Sequence, residues 1–389
     1  MWDLNEELSG DGPFPCHTEQ PALYCTGRCR KVLYSGPQEA HRFELVDQCR
    51  SATDKLVRPT ATMRRFGFYL VEFLLCLTTF VSASSSTSAA SASALRPVHF
   101  AFPALSAAYL PVWVARQSGF FQKQGLDVTV SYIAGNNKLT AAMIGGSIQI
   151  GVGGSASVDA NARKASDLVF VAATAQRAVA SLFSRPETKT VAQLKGKIIA
   201  TVGKATLTDD AARIILEHQG LSVEEVKFVY TNSVSANLTA LITGNVSAAI
   251  LTAPGTLSAR KAGMVEIGNA ATTDIPYLHG SIVVLRPYLQ SDRETLKAFL
   301  RALMEGIRES KRNPEGSIEI MAKYLKSSRE ALLESYNTFI PYFPNIPEVP
   351  PQAIQNVVRL HGLSLDRDAI ERMVDNSLVR AIMSETPSK

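Results

Sequence analysis

Between Ile198 and Gly220 the chain reads IIATVGKATLTDDAARIILEHQG, with Gly203-Lys204 between a strand-like apolar run and a helix-like one. This is the outline of a phosphate-binding loop, where Gly, four residues and Gly-Lys-Ser/Thr wrap backbone amides around phosphates and place a hydroxyl on magnesium. Ala205 stands where the hydroxyl belongs and Ile198 where the first glycine belongs, which excludes a nucleotide loop. What remains is a helix start after a strand, whose unpaired N–H groups and positive dipole end suit any small polar or anionic ligand. Gly153-Gly154-Ser155 is a second turn of this kind. It falls short of a nucleophile elbow, Gly-x-Ser-x-Gly, because Ser157 occupies the last position. His99, His218, His279 and His361 lie in segments that offer no evident partner, so no catalytic group is expected. Asp209 and Asp210 fall in a first helical turn, where the dipole accounts for them without chemistry. The five cysteines, Cys16, Cys25, Cys29, Cys49 and Cys76, all precede residue 77, and their spacing matches no zinc-binding pair of pairs. Neither a metal nor a cofactor is expected.

The elements that must position these turns follow an alternating rhythm from residue 96. Strand-like runs VHFAF, LDVTVSYI, IQIGVGG and LVFVAAT are separated by helix-like segments closed by glycine, with Pro111 in one first turn and Ser155 opening another. The pattern then restarts: KIIATV, a helix capped by Thr206 and Asp209, VKFVYT, the helix SANLTALITG, SAAILT, and Pro254 at the first position of a helix. Such alternation predicts two similar α/β units with mostly parallel sheets. After a last strand over 280–285 the chain reads as helices over 293–313, 314–326, 328–336, 351–362 and 367–383, with the Pro-rich IPYFPNIPEVPP as an extended connector.

With 46% hydrophobic and 19% charged residues the composition is that of a globular protein of two or three domains. The net charge of +5 is scattered, with no basic run interleaved with aromatics, so no nucleic-acid partner is expected. MRRFGFYLVEFLLCLTTFVSASSSTSAASASALRP, from Met63, has the order of a secretory signal peptide: arginines, an apolar run, then small residues. The expectation is export to the periplasm or another extracytoplasmic space through this segment, with 1–62 an upstream extension or misannotated region and 63–95 the leader and Ser/Ala tract. A signal anchor retained in the membrane is the alternative.

LPVWVARQSGFFQKQGLDVTV followed by AAMIGGSIQIGVGG resembles the substrate-binding proteins of ABC transporters for nitrate, sulfonates and taurine, the SsuA/THI5-like family. The likeness continues through LKGKIIATVGKATLTDDAARIILEHQGL, ITGNVSAAILTAP and MVDNSLVRA. Gln149 departs from it, standing where many members carry an acid, and the cysteine-rich motif of the pyrimidine-synthesising members is absent. The resemblance implies an α/β, periplasmic-binding-protein-like (type II) fold: two lobes, a central ligand cleft, two hinge crossings and a helical C-terminal part. Lobe one would be 96–176 plus 279–389, and lobe two 177–278.

In such sheets ligands gather beyond the carboxyl ends of strands. That rule nominates Tyr109, Gly153, Gly154, Ser155 and Thr174 from lobe one, and Lys204, Ala205, Thr206, Asn232, Thr252 and Pro254 from lobe two, with His279 at the return crossing. Each also has a plain structural role. The glycines permit a tight turn, Ser155 and Thr206 cap helices, Lys204 is a solvated loop charge, Tyr109 covers a helix start and His279 ties a crossing. The resemblance implies a non-enzymatic receptor that delivers a small solute, such as a sulfonate, nitrate, an aromatic carboxylate or a pyrimidine, to an ABC permease in the membrane. A pyrimidine-precursor synthase on the same fold is the alternative, and a membrane-tethered sensory domain a third reading.

Overall fold

Ten strands lie among the described residues, 94–385, of this computed structural model. The cysteines and the leader-like segment from Met63 lie outside the described residues. In chain order the strands are β1 (Arg96–Phe102), β2 (Leu126–Tyr132), β3 (Ile150–Gly153), β4 (Leu168–Ala175), β5 (Ser181–Ser184), β6 (Ile198–Thr201), β7 (Lys227–Tyr230), β8 (Ala248–Leu251), β9 (Val265–Asn269) and β10 (His279–Leu285). They form two five-stranded sheets, ordered β2-β1-β3-β10-β4 and β7-β6-β8-β5-β9.

The two sheets repeat one plan. β1 pairs in parallel with β2 and β3, as β6 does with β7 and β8. The fourth strand in each order, β10 or β5, runs antiparallel to both neighbours. Each of these is the strand on which the chain arrives from the other sheet, after crossings at 176–180 and 270–278. A strand entering from the opposite sheet starts at the carboxyl ends of the parallel strands, so it must run against them.

The patterning explains which strands were legible. β4 is an unbroken apolar run with all eight residues buried, as a strand covered on both faces should be. Its outer edge is closed by the C-terminal segment: Phe170 N–H donates to Met373 O, Asp375 N–H to Phe170 O, and Ala173 N–H to Pro347 O. Covering an edge in this way satisfies its backbone groups and prevents pairing with another chain. β5 and β9 were not expected; SLFS is only four residues long and VEIGN is polar at alternate positions and half-exposed.

Helices cover the sheets. Helix Arg293–Arg312 buries an apolar stripe that includes Leu296, Phe299, Leu300 and Leu303; it packs against helix Leu110–Gln117, and Phe299 stacks on Phe100 and Phe121. The helix expected over 328–336 runs on to Phe339, and two further boundaries differ from the sequence expectation in kind. Pro254 is the N-cap of helix Gly255–Lys261 rather than its first residue. The helix expected over 367–383 is two, Arg367–Arg372 and Ser377–Glu385, because Val374 leaves the helical path to bridge Phe170 of β4.

Candidate functional site

The crossings are tied to each other by hydrogen bonds. Tyr277 N–H donates to Gln176 O at 2.9 Å, Ala270 N–H to Ala180 O at 3.0 Å, and the Arg177 guanidinium to Thr273 O at 2.8 Å. His279 belongs to this tie: its Nδ1 accepts the Val179 N–H at 3.2 Å, and its ring meets Phe339 edge-on at 5.3 Å. Burial pushes its pKa down to about 4, against a smaller opposing pull from the Arg177 backbone, so the ring is neutral at pH 7. At Gly280 the chain turns with φ +67°, a conformation that favours glycine, and an added Cβ would lie 2.2 Å from Thr174 Oγ1.

Beside the crossings the two halves meet through one carboxylate. Asp210, in the first turn of helix Leu207–His218, is fully buried. Its Oδ2 accepts hydrogen bonds from Ser155 Oγ, at the start of helix Ser155–Ala162, and from Tyr277 Oη, on the second crossing. Its Oδ1 accepts the Nε2–H of His361 at 2.5 Å. Helix Pro351–Leu360, which His361 follows, packs against both of the other helices. Arg359 pairs with Glu217 and Asn356 bonds Pro276 O on the same seam.

The electrostatics follow from burial. Desolvation alone would lower the His361 pKa, but the Asp210 hydrogen bond and the charges of Asp210 and Asp209 outweigh it and raise the value. Burial and the adjoining Asp210 charge hold the Tyr277 phenol well above its ordinary range. Burial also raises the Asp209 carboxyl, opposed by the Arg213 guanidinium 3.2 Å away. Ser155, Asp210 and His361 are therefore not a nucleophilic triad. Serine and histidine both donate to the aspartate, whereas a triad requires the histidine to accept from the serine.

The loop that resembled a phosphate cradle is filled by its own side chains. Asp209 Oδ2 accepts the Ala205 N–H at 3.3 Å, Thr206 Oγ1 accepts the Asp209 N–H at 3.4 Å, and Asp210 N–H bonds Thr206 O. Asp209 thus holds the place an anion would take, and Ala205 adopts φ +56° to reach it. Lys204 is exposed beside this loop.

The remaining nominated residues separate into groups. Thr174 is buried, with its hydroxyl spent on Ala108 O at 3.1 Å and Gly280 O at 3.0 Å. Tyr109 is buried against Phe102 and Trp113, and burial raises its phenol pKa. Gly153 lies under Val283 and Phe170, while Gly154 has open space to 3.8 Å around a Cβ position. Asn232 is exposed, with φ +69°. Thr252 lines a cavity of about 220 Å³ at the ends of β5, β8 and β9, with Ser181, Thr256, Asn269, Asn337 and Thr338; Pro254 lies just beyond. Across that cavity Thr256 and Arg260 bond Glu334, at 2.7 and 2.5 Å, and Lys261 pairs with Glu330. Structure thus brings Ser155, Ala205 and Thr206 to the Asp210 seam and Thr252 to a separate cavity.

Asp210, Tyr277 and His361 were missed from sequence. Asp210 had a usable signal: it precedes Ile214 by four residues on a helix whose buried face includes Ala211, Ile214 and Ile215, so it sits on the apolar side. His361 carried none, since its partner is 151 residues away.

The sequence profile of the NMT1/THI5-like family matches residues 106–317, more than half of the chain. A Brucella abortus protein is 25% identical over 226 residues, covering 56% of this chain and 68% of its own. The alkanesulfonate-binding protein SsuA from Xanthomonas axonopodis pv. citri, solved bound to MOPS, superposes with a TM-score of 0.57 at 19% identity, covering 74% of this chain and 97% of that one. The periplasmic nitrate-binding protein NrtA from Synechocystis PCC 6803 gives 0.63 at 14% identity, covering 75% and 89%. At these identities the structures carry the fold, and the sequence profile carries the relationship. The chain is a member of the NMT1/THI5-like family with a periplasmic-binding-protein fold of type II.

Proposed function

We propose that this chain is an extracytoplasmic solute-binding protein that captures a small solute between two lobes and delivers it to an ABC importer. Lobe one is 96–176 with 279–389, lobe two is 177–278, and the permease docks on the ligand-closed form. The observation that carries the reading is the pair of short crossings between two sheets of matched plan, with polar contacts between the halves at Asp210 and Glu334. Polar interfaces inside a chain are the kind that open and reclose. A micromolar solute brings about 8 kcal/mol of binding free energy, and closure needs only the part that is specific to the closed form.

The solute site we favour is the cavity at the strand ends lined by Thr252, Thr256, Ser181, Asn269, Asn337 and Thr338. These hydroxyls and amides suit a small polar solute; Arg260 at the same cavity is paired with Glu334 and Glu266, so an anionic solute would have to compete with those carboxylates for it. The loop before helix Leu207–His218 is a weaker place for an anion, because Asp209 already fills it.

Thermal-shift screening of sulfonates, nitrate, aromatic carboxylates and pyrimidines, followed by calorimetry and mass analysis of the recovered ligand, tests the proposal. A carrier returns the ligand unchanged, with affinity reduced at least tenfold by Thr252→Val. Conversion of the ligand would instead support the synthase-like alternative.

A further inference from the structure

The Asp210 seam contains more ligating chemistry than an ion pair uses. A carboxylate oxygen from each of Asp209 and Asp210 and a ring nitrogen of His361 lie within 4.8 Å of one another. Both carboxylates are fully buried, and the His361 side chain is only 6% exposed. One of these groups has an unmet need: Asp209 Oδ1 is buried with no hydrogen-bond partner, although its Oδ2 serves Arg213 and the Ala205 amide. An unpaired buried carboxylate oxygen is costly unless a cation or donor reaches it.

We propose that Asp209, Asp210 and His361 form a binding site for a divalent transition cation that bridges the two halves of the molecule. One imidazole nitrogen with two carboxylate oxygens is a donor set for zinc and its first-row neighbours, and excludes calcium as the preferred ion. Ligands at about 2.0–2.2 Å from such an ion are separated from each other by roughly 3–4 Å, so the observed cluster needs only small side-chain adjustments.

The proton balance is simple. The ion takes the place of the Nε2 proton that His361 shares with Asp210: from the imidazolium one proton is released, from the neutral ring the proton moves to Nδ1 and none is released, and Asp209 Oδ1 gains the partner it lacks. Ser155 and Tyr277 remain on Asp210 Oδ2 and orient the carboxylate, the usual task of groups behind a metal ligand. A groove of about 410 Å³ lies next to the cluster, lined by Arg213, which bonds Asp209, and by Leu360, the chain neighbour of His361. Because Asp209 and Asp210 belong to the second sheet's half and His361 to the C-terminal helices, the ion would hold the seam closed.

Zinc titration of the full chain, stripped with EDTA and kept reduced, tests this without any solute. The cysteines contribute equally to wild type and variants, so the difference isolates the site. Wild type is expected to bind one more equivalent of zinc than Asp209→Asn or His361→Gln, and zinc is expected to raise the melting temperature of wild type alone. A second readout needs no variant: zinc should slow deuterium exchange at the His361 ring carbon, followed by mass spectrometry. Equal stoichiometry in all three proteins, or unchanged exchange at His361 with zinc at saturation, would overturn the site.

Discussion

His361 Nε2 lies 2.5 Å from Asp210 Oδ1, joining the end of helix Pro351–Leu360 to the first turn of helix Leu207–His218. The contact is buried on both sides, and Ser155 and Tyr277 complete it. It makes the C-terminal helices part of the seam between the halves rather than an appendage to the first sheet.

Removing the Asp210 carboxylate leaves three buried donors, Ser155, Tyr277 and His361, without their acceptor. Asp210→Ala is therefore expected to lose about 3–5 kcal/mol of stability, read as a shifted midpoint in urea. Asp210→Asn keeps an acceptor for the donors around it and should lose less. Equal losses would mean that a neutral acceptor contributes nothing and that the carboxylate's charge carries the seam.

The two glycines of the turn before helix Ser155–Ala162 should behave differently. A Cβ on Gly153 would stand 2.3 Å from Val283 Cγ1 and 3.1 Å from Phe170, inside a packed sheet, so Gly153→Ala should cost about 1–3 kcal/mol through overpacking. Gly154 has no atom nearer than 3.8 Å to that position and an extended φ of −167°. Gly154→Ala should change stability by no more than about 0.5 kcal/mol. Urea unfolding of both variants checks the contrast.

Thr174 of β4 ties the start of β10 to the short helical turn after β1 by donating toward Gly280 O and Ala108 O. Thr174→Val keeps the shape and leaves both carbonyls without that donor. Its expected cost is about 1–3 kcal/mol, visible as a lower melting temperature.

His279 makes stability depend on pH. Its folded pKa of about 4 lies below the unfolded value of 6.5, so below the unfolded value the unfolded chain binds the extra proton. The contribution is complete above about pH 6.5 and is lost as pH falls towards 4, a change on the order of 3 kcal/mol. Chemical denaturation across that range should show the slope in wild type and a flatter profile in His279→Gln.

What the sequence revealed depended on how local the signal was. β1 to β4 and the helix starts at Ser155 and Thr206 are written in apolar runs, caps and glycines a few residues apart, and they fold where that grammar puts them. β5 and β9 are short strands whose identity comes from pairing, β5 between β8 and β9, and no local pattern announces that. The near-match at Gly203-Lys204 suggested a site for an anion, yet Asp209, four residues after Ala205, occupies the amide itself. Asp210 was assigned to the helix dipole because its partners come from three distant segments: Ser155, Tyr277 and His361. Long-range polar contacts have no period in sequence, and buried ones are the hardest to read.

The central claim is that a solute draws two lobes together around it. Small-angle X-ray scattering of the full chain, with and without a saturating ligand identified by thermal shift, tests it most directly. The account predicts a smaller radius of gyration with ligand bound, and an attenuated change in Thr252→Val at the same ligand concentration. An identical scattering profile at proven saturation would contradict it.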